Sequence, residues 1–85
     1  MRSKKVEVSP EIHRVKIRLD TVTDIANFVL AVSKIKENVY ITNGGRLCID
    51  GKSFLGLSHA REFDTLFCEC NRDISHLISE FIITE

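Results

Sequence analysis

Ser53 is the side chain in this sequence that can most readily carry chemistry, and it follows Gly51-Lys52. An apolar run comes directly after it, so its hydroxyl is well placed to cap the first turn of a helix. The same hydroxyl is a candidate for phosphorylation, because Lys52 would favour the added negative charge. The sequence leaves both roles open, a helix cap and a regulatory phosphorylation site.

Gly51-Lys52-Ser53 also matches the last residues of a nucleotide-binding phosphate loop. The upstream glycine that this motif requires is absent, so the segment does not predict a nucleotide site. The glycine pair further upstream, at Gly44-Gly45, is placed as a turn between two alternating apolar runs.

The cysteines and histidines do not form a recognisable catalytic or metal-binding set. Cys68 and Cys70 lie two residues apart on a predicted strand, where their side chains run parallel and are poorly placed for a disulfide. No Cys-x-x-Cys spacing is present, and we expect buried, reduced thiols. We also find no Ser/His/Asp order and no pair of carboxylates. The sequence therefore predicts no enzyme activity, no metal and no cofactor.

Length and charge restrict the class of protein further. The chain has 85 residues, with 12 basic and 12 acidic side chains, so it is one domain without net charge. That balance argues against binding to nucleic acid or to a membrane surface. We find no signal peptide or membrane span and expect a cytoplasmic protein. Residues 1–11 are predicted as a flexible leader or weak strand, and residues 12–85 as the domain.

The first half of the domain shows two clear periodicities. Residues 13–19 alternate between apolar and basic side chains, which predicts a half-buried strand. Asp20 or Thr21 can then cap a helix that Asp24 also favours. The predicted apolar stripe of this helix consists of Val22, Ile25, Phe28, Val29, Val32 and Ile35.

The second half predicts a hairpin, a short helix, a strand and a last helix. Two alternating runs flank Asn43-Gly44-Gly45, a strong hairpin signal. A short helix near 53–59 leads to a strand in 63–70, which has apolar groups on both faces. The last predicted helix begins after Asn71, and its stripe consists of Ile74, Leu77, Ile78, Phe81 and Ile82.

The predicted order is β-α-β-β-α-β-α, in the α/β (α+β) class. Each helix has one apolar face, so we expect a two-layer, open-faced sandwich with the helices on one side of a four-stranded sheet. The uncovered face would be partly basic and partly aromatic, which suits a binding surface or a solvated one. The side chains expected on it are Arg14, Lys16, Arg18, Tyr40 and Phe67.

With these elements in place, residues 12 to 84 resemble the HPr phosphocarrier family of the bacterial sugar phosphotransferase system. Ala26-Asn27-Phe28-Val29 is similar to the first-helix segment of that family, and Lys52-Ser53-Phe54-Leu55-Gly56-Leu57 to the segment around its regulatory serine. The last helix is placed alike. The resemblance implies an open-faced sandwich in which the strand in 63–70 lies between the first two strands.

One departure from the family bears on function. The family carries phosphate on a histidine at the start of the first helix, and that position matches Thr21, while its arginine partner matches Thr23. A phosphothreonine is a stable ester, so we expect phosphotransfer to be lost. The resemblance implies Ser53 as a regulatory phosphorylation site. The candidate binding residues beside it are Lys52, Phe54, Leu55 and Leu57.

Three functions remain open at this point. The leading hypothesis is an HPr-like regulator that acts by binding a protein partner through the Ser53 segment. The second is a genuine phosphocarrier that uses a displaced histidine, His13 or His59. The third is a structural or interaction module that uses the open sheet face, with a weak homodimer as one form.

Overall fold

A computed structural model describes residues 12–83 of the chain. The predicted leader at 1–11 lies outside the described residues. The elements in chain order are β1 (His13–Ile17), α1 (Val22–Val32), β2 (Val39–Thr42), β3 (Cys48–Asp50), α2 (Phe54–Ala60), β4 (Leu66–Cys70) and a 3₁₀ helix (Ser79–Phe81). The domain contains helices and one sheet, so it belongs to the α+β class.

The four strands form one antiparallel sheet in the order β1-β4-β2-β3. Cys68 of β4 lies opposite Val15 of β1 on one side and opposite Ile41 of β2 on the other. β1 and β2 are therefore parallel to each other and separated by β4, which is the strand placement that the resemblance implies. β3 pairs with β2 at the outer edge of the sheet.

One face of the sheet and both helices enclose a single apolar core. Because side chains alternate along a strand, the aliphatic residues of the strands point to the same side of the sheet. The buried residues are Ile17, Leu19, Ile25, Phe28, Val32, Val39, Ile41, Leu57, Ala60, Leu66, Cys68, Cys70, Ile74, Ile78 and Phe81. The rings of Phe28 and Phe81 meet edge to face, with their centroids 5.5 Å apart.

α1 begins as its sequence predicts, with a complete capping box at Thr21. The Thr21 hydroxyl accepts a hydrogen bond from the amide of Asp24 at 3.0 Å, and the Asp24 carboxylate accepts one from the amide of Thr21 at 3.1 Å. The helix ends earlier than the stripe suggested, at Val32. Val22 is exposed rather than buried, because a step of 100° per residue places it about 120° from Phe28 around the helix.

The predicted hairpin joins β2 and β3 through a five-residue loop, 43–47. The side-chain oxygen of Asn43 accepts hydrogen bonds from the amides of Gly45 and Leu47, at 2.8 and 3.3 Å. Gly44 has a φ of +83°, which favours glycine, and the ring of Phe67 lies against it. The turn is therefore set by one side chain and one glycine.

The last predicted helix is not an α-helix. Its apolar stripe is packed against the core as expected, but the backbone bonds are of the i to i+3 type, such as the Leu77 amide to the Ile74 carbonyl at 2.8 Å. Turns and the 3₁₀ helix replace the regular helix in this part of the chain. The prediction of the burial is correct, and the prediction of the helix is wrong.

Pairing with β1 explains part of this difference. The carboxylate of Asp73 accepts hydrogen bonds from both the amide and the hydroxyl of Ser75, which sets a local turn at the start of this segment. At the other end, the Ile83 amide donates to the Lys16 carbonyl and the Arg18 amide to the Phe81 carbonyl, both at 2.9 Å. The pairing of this segment with β1 requires extended backbone.

The capping box makes a testable contribution to stability. We expect Thr21→Ala to lower the free energy of unfolding by about 1 kcal/mol, because the Asp24 amide loses its acceptor. Urea denaturation monitored by circular dichroism measures the change. Thr23→Ala is the matched control, since Thr23 is exposed on the same helical turn. Equal stability of the two variants would contradict this role of Thr21.

Candidate functional site

The turn between β3 and α2 holds Ser53 in a defined position. The Gly51 amide donates to the Val39 carbonyl at 2.7 Å, and the Ser53 amide donates to the Asp50 carbonyl at 3.0 Å. The Asp50 carboxylate also accepts a hydrogen bond from the Lys52 amide at 2.9 Å. Three hydrogen bonds within four residues therefore join the start of α2 to the sheet.

Ser53 is the N-cap of α2, as its sequence context predicts. Its hydroxyl oxygen accepts a hydrogen bond from the amide of Gly56 at 3.0 Å. The side chain is partly exposed, so it remains accessible from solvent. The capping role and a role as a phosphorylation site are compatible, because a phosphate oxygen can also accept from a helical amide.

Lys52 does not reach towards the Ser53 hydroxyl. Its ammonium group donates a hydrogen bond to the carbonyl of Ile35, at 2.6 Å. Ile35 lies just after the end of α1, so this contact ties the start of α2 to the end of the first helix. Lys52 is therefore a structural tie between the two helical segments in addition to a candidate binding residue.

Of the three apolar candidates in α2, two are exposed and one is not. Leu55 is 73% exposed and Phe54 is 43% exposed, both in the first turn of the helix. Leu57 is 0% exposed and belongs to the core, so its assignment as a binding residue is wrong. The helical repeat explains the difference, because Leu57 is rotated by about 200° from Leu55 and faces the sheet.

Gly56 allows α2 to approach the sheet closely. A Cβ atom built on Gly56 would lie 2.8 Å from Cγ2 of Ile49 on β3, a distance that side chains do not adopt. The glycine therefore lowers intrinsic helix propensity but permits the packing of α2 on β3. This explains why a short helix with two exposed apolar residues is nevertheless held in place.

The two positions that match the phosphoacceptor site hold hydroxyl side chains, and one of them has a structural role. Thr21 caps α1 through its hydroxyl, and Thr23 is exposed in the first turn. His13 lies at the start of β1 while Thr21 lies beyond its opposite end, so His13 is not close to this position. His59 is exposed in the last turn of α2.

The thiols are buried with one exception. Burial raises the pKa of Cys68 to about 12, with smaller contributions from Cys70 and the charge of Glu69. Cys70 is also buried, whereas Cys48 is exposed on the edge strand β3.

Among residues 12–83, no group of three or more His, Cys, Asp and Glu side chains could hold a metal ion. No helix in this part of the chain is long and apolar enough to cross a membrane.

Two surface features were not singled out from the sequence. Leu30 of α1 is exposed. The sequence could have indicated this exposure, because Leu30 is an apolar residue outside the predicted apolar stripe of the helix. A groove of about 720 Å³ separates the end of β1 from the end of α2. The residues that line this groove include Arg18, Asp20, Arg61, Glu62, Phe63 and Asp64. No spacing rule connects these residues, because the groove arises from the packing of distant elements.

Comparison with protein-family models, with curated proteins and with solved structures finds no match to this chain.

The contact between Gly56 and Ile49 predicts the effect of a single methyl group. Gly56→Ala gains helix propensity of about 0.5–1 kcal/mol, but we expect steric strain of about 1–3 kcal/mol to outweigh it. The variant should therefore unfold at a lower urea concentration. The same substitution in an Ile49→Ala background should cost much less, because the opposing Cγ2 atom is gone. A cost that is unchanged in that background would contradict the contact.

The raised pKa of Cys68 predicts a loss of stability in alkali. Unfolded thiols ionise near the ordinary pKa of 9.0, while the folded Cys68 retains its proton to about 12. The stability that the protonated Cys68 thiol contributes is therefore fully present below pH 9. As the pH rises from 9 towards 12, the free energy of unfolding falls by up to about 1.4 kcal/mol per pH unit. Urea denaturation between pH 7 and 10.5 measures this slope. Cys68→Ala should reduce the slope, whereas Cys48→Ala should leave it unchanged.

Proposed function

We propose that this chain is an HPr-like protein that does not transfer phosphate and acts by binding a protein partner at the start of α2. The observation that carries the proposal is the exposure of Phe54 and Leu55 directly after Ser53. A leucine that is 73% exposed contributes nothing to the core, so we propose that a partner covers it.

The strand order supports the resemblance on which the proposal rests. β4 lies between β1 and β2, and both helices pack on the same side of the sheet. The regulatory serine position of the family is matched by a serine that caps a helix at the surface. We therefore propose that the fold is that of the HPr family.

The proposed loss of phosphotransfer rests on Thr21. Its hydroxyl accepts a hydrogen bond from a helical amide, and a phosphate ester on it would be stable. The imidazole that makes a labile phosphate carrier is absent from this position. The nearest histidine along the chain, His13, is separated from Thr21 by the length of β1.

The proposed regulation acts on the binding surface itself. Phosphorylation of Ser53 would add a charge of about −1.5 to −2 beside two exposed apolar side chains. A partner that covers Phe54 and Leu55 would then bind either a neutral or an anionic edge. Phosphorylation of Ser53 would therefore determine which partner the chain binds.

Two phosphorylation reactions test the function. One tube contains HPr kinase with ATP, and the other contains enzyme I with phosphoenolpyruvate. We expect a stable phosphate on Ser53 in the first tube, absent from Ser53→Ala and retained in Thr21→Ala, and no acid-labile phosphate in the second. Peptide mapping by mass spectrometry measures both. Label on His13 or His59 would instead support a phosphocarrier, and label in neither tube would contradict the regulatory role.

Leu55 tests the binding surface separately. We expect Leu55→Asp to lower the efficiency of Ser53 phosphorylation by about tenfold, because an apolar contact to the kinase is replaced by a charge. Ile12→Asp is the matched control, since Ile12 is also an exposed apolar residue and lies directly before β1. Both variants should keep the unfolding midpoint of the parent protein. Equal phosphorylation of both variants would exclude Leu55 from the kinase contact.

A further inference from the structure

We propose that the uncovered side of the sheet is a homodimer interface on which a second copy of this chain packs face to face. This side, called the open face below, is opposite to the helices and to Ser53. It is defined by Arg14, Lys16, Tyr40, Thr42, Cys48, Asp50, Phe67 and Glu69. The proposal goes beyond the function proposed above and does not depend on it.

The side chains of the open face are already held by contacts with one another in the single chain. Two nitrogens of the Arg14 guanidinium donate to one carboxylate oxygen of Glu69, at 2.7 and 2.8 Å. The guanidinium carbon also lies 5.4 Å from the centre of the Phe67 ring. Thr42 donates to the same Glu69 oxygen at 3.5 Å. Because these side chains already share one arrangement, docking costs little further rotamer entropy.

The composition of the open face is that of an interface centre. Tyrosine, phenylalanine and arginine are enriched at protein interfaces, and Tyr40, Phe67 and Arg14 all lie on this face, on three neighbouring strands. Tyr40 is 42% exposed, although it lies on an interior strand of the sheet. A flat sheet face with a central aromatic pair can be covered by another flat sheet.

The charges on this face are complementary to those of a second copy. One row across the sheet reads Arg14, Glu69, Tyr40 and Asp50, so positive charge lies on β1 and negative charge on β3. A two-fold axis parallel to the strands, between β4 and β2, places β1 of one copy over β3 of the other. Arg14 then faces Asp50 of the second copy, and the symmetry produces this contact twice.

The other simple arrangement is unfavourable. An axis perpendicular to the strands would superpose the two rows and would bring Arg14 over Lys16 of the second copy. Like charges at this position would repel each other. The charge pattern therefore selects one orientation, in which strands of the two sheets are aligned.

Sedimentation equilibrium of the full chain, from micromolar to millimolar concentration, tests the proposal. We expect a reversible dimer, whose dissociation constant rises about tenfold in Tyr40→Ser. Asp50→Asn should raise it several-fold, while the amide oxygen still accepts the Lys52 hydrogen bond. Leu55→Ser is the matched control on the opposite side and should leave dimerisation unchanged. A monomer at every concentration would overturn the proposal, as would a dimer that Leu55→Ser weakens and Tyr40→Ser does not.

Cross-linking determines the orientation. The second row across the sheet places Lys16 of one copy over Cys48 of the other, and Cys48 is the exposed thiol of the described residues. A short maleimide–succinimide reagent should join these two residues between ¹⁵N-labelled and unlabelled copies. Cross-links only within a copy would overturn the arrangement. Protection of Tyr40 and Phe67 from a soluble paramagnetic probe in a monomer would assign the open face to residues 1–11 and would also overturn it.

Discussion

β4 is paired along both of its edges, and each layer of the domain is built on it. Leu66, Cys68 and Cys70 face the helices and are buried, while Phe67 and Glu69 face the other way and hold Arg14. A strand in this position has no free edge, so its backbone groups are satisfied within the sheet. Without this strand, β1 would have no backbone hydrogen bonds to the other strands of the sheet.

The local patterns of the sequence predicted most of the elements, because each depends on neighbours within a few residues. The alternation in β1, the capping residues of α1 and the turn at Gly44 are of this kind. The segment from Asp73 to Ile82 was mispredicted as a helix because its apolar spacing suits burial in either backbone form. The C-terminal end of this segment is held extended by pairing with β1, which is not a local property.

The same distinction applies to the candidate site. The capping role of Ser53 follows from its position before an apolar run, and the structure places it there. The bond from Lys52 to the Ile35 carbonyl could not be foreseen, since it depends on how α1 and α2 pack. Leu57 was predicted as a binding residue because the sequence of a short helix does not show which of its apolar residues face the core. The two proposed interactions use opposite sides of the domain, with Leu55 on one and Tyr40 on the other.

The placement of β1 has a consequence for how the chain folds during synthesis. Its sheet neighbours are β4 on one edge and residues 81–83 on the other, and all of them are translated after both helices. β1 therefore leaves the ribosome long before any strand that can pair with it. Its apolar side chains, Val15 and Ile17, therefore lack their sheet partners until β4 has been translated. Charged residues beside apolar ones oppose aggregation, so the basic residues that alternate with them would disfavour association of this early segment.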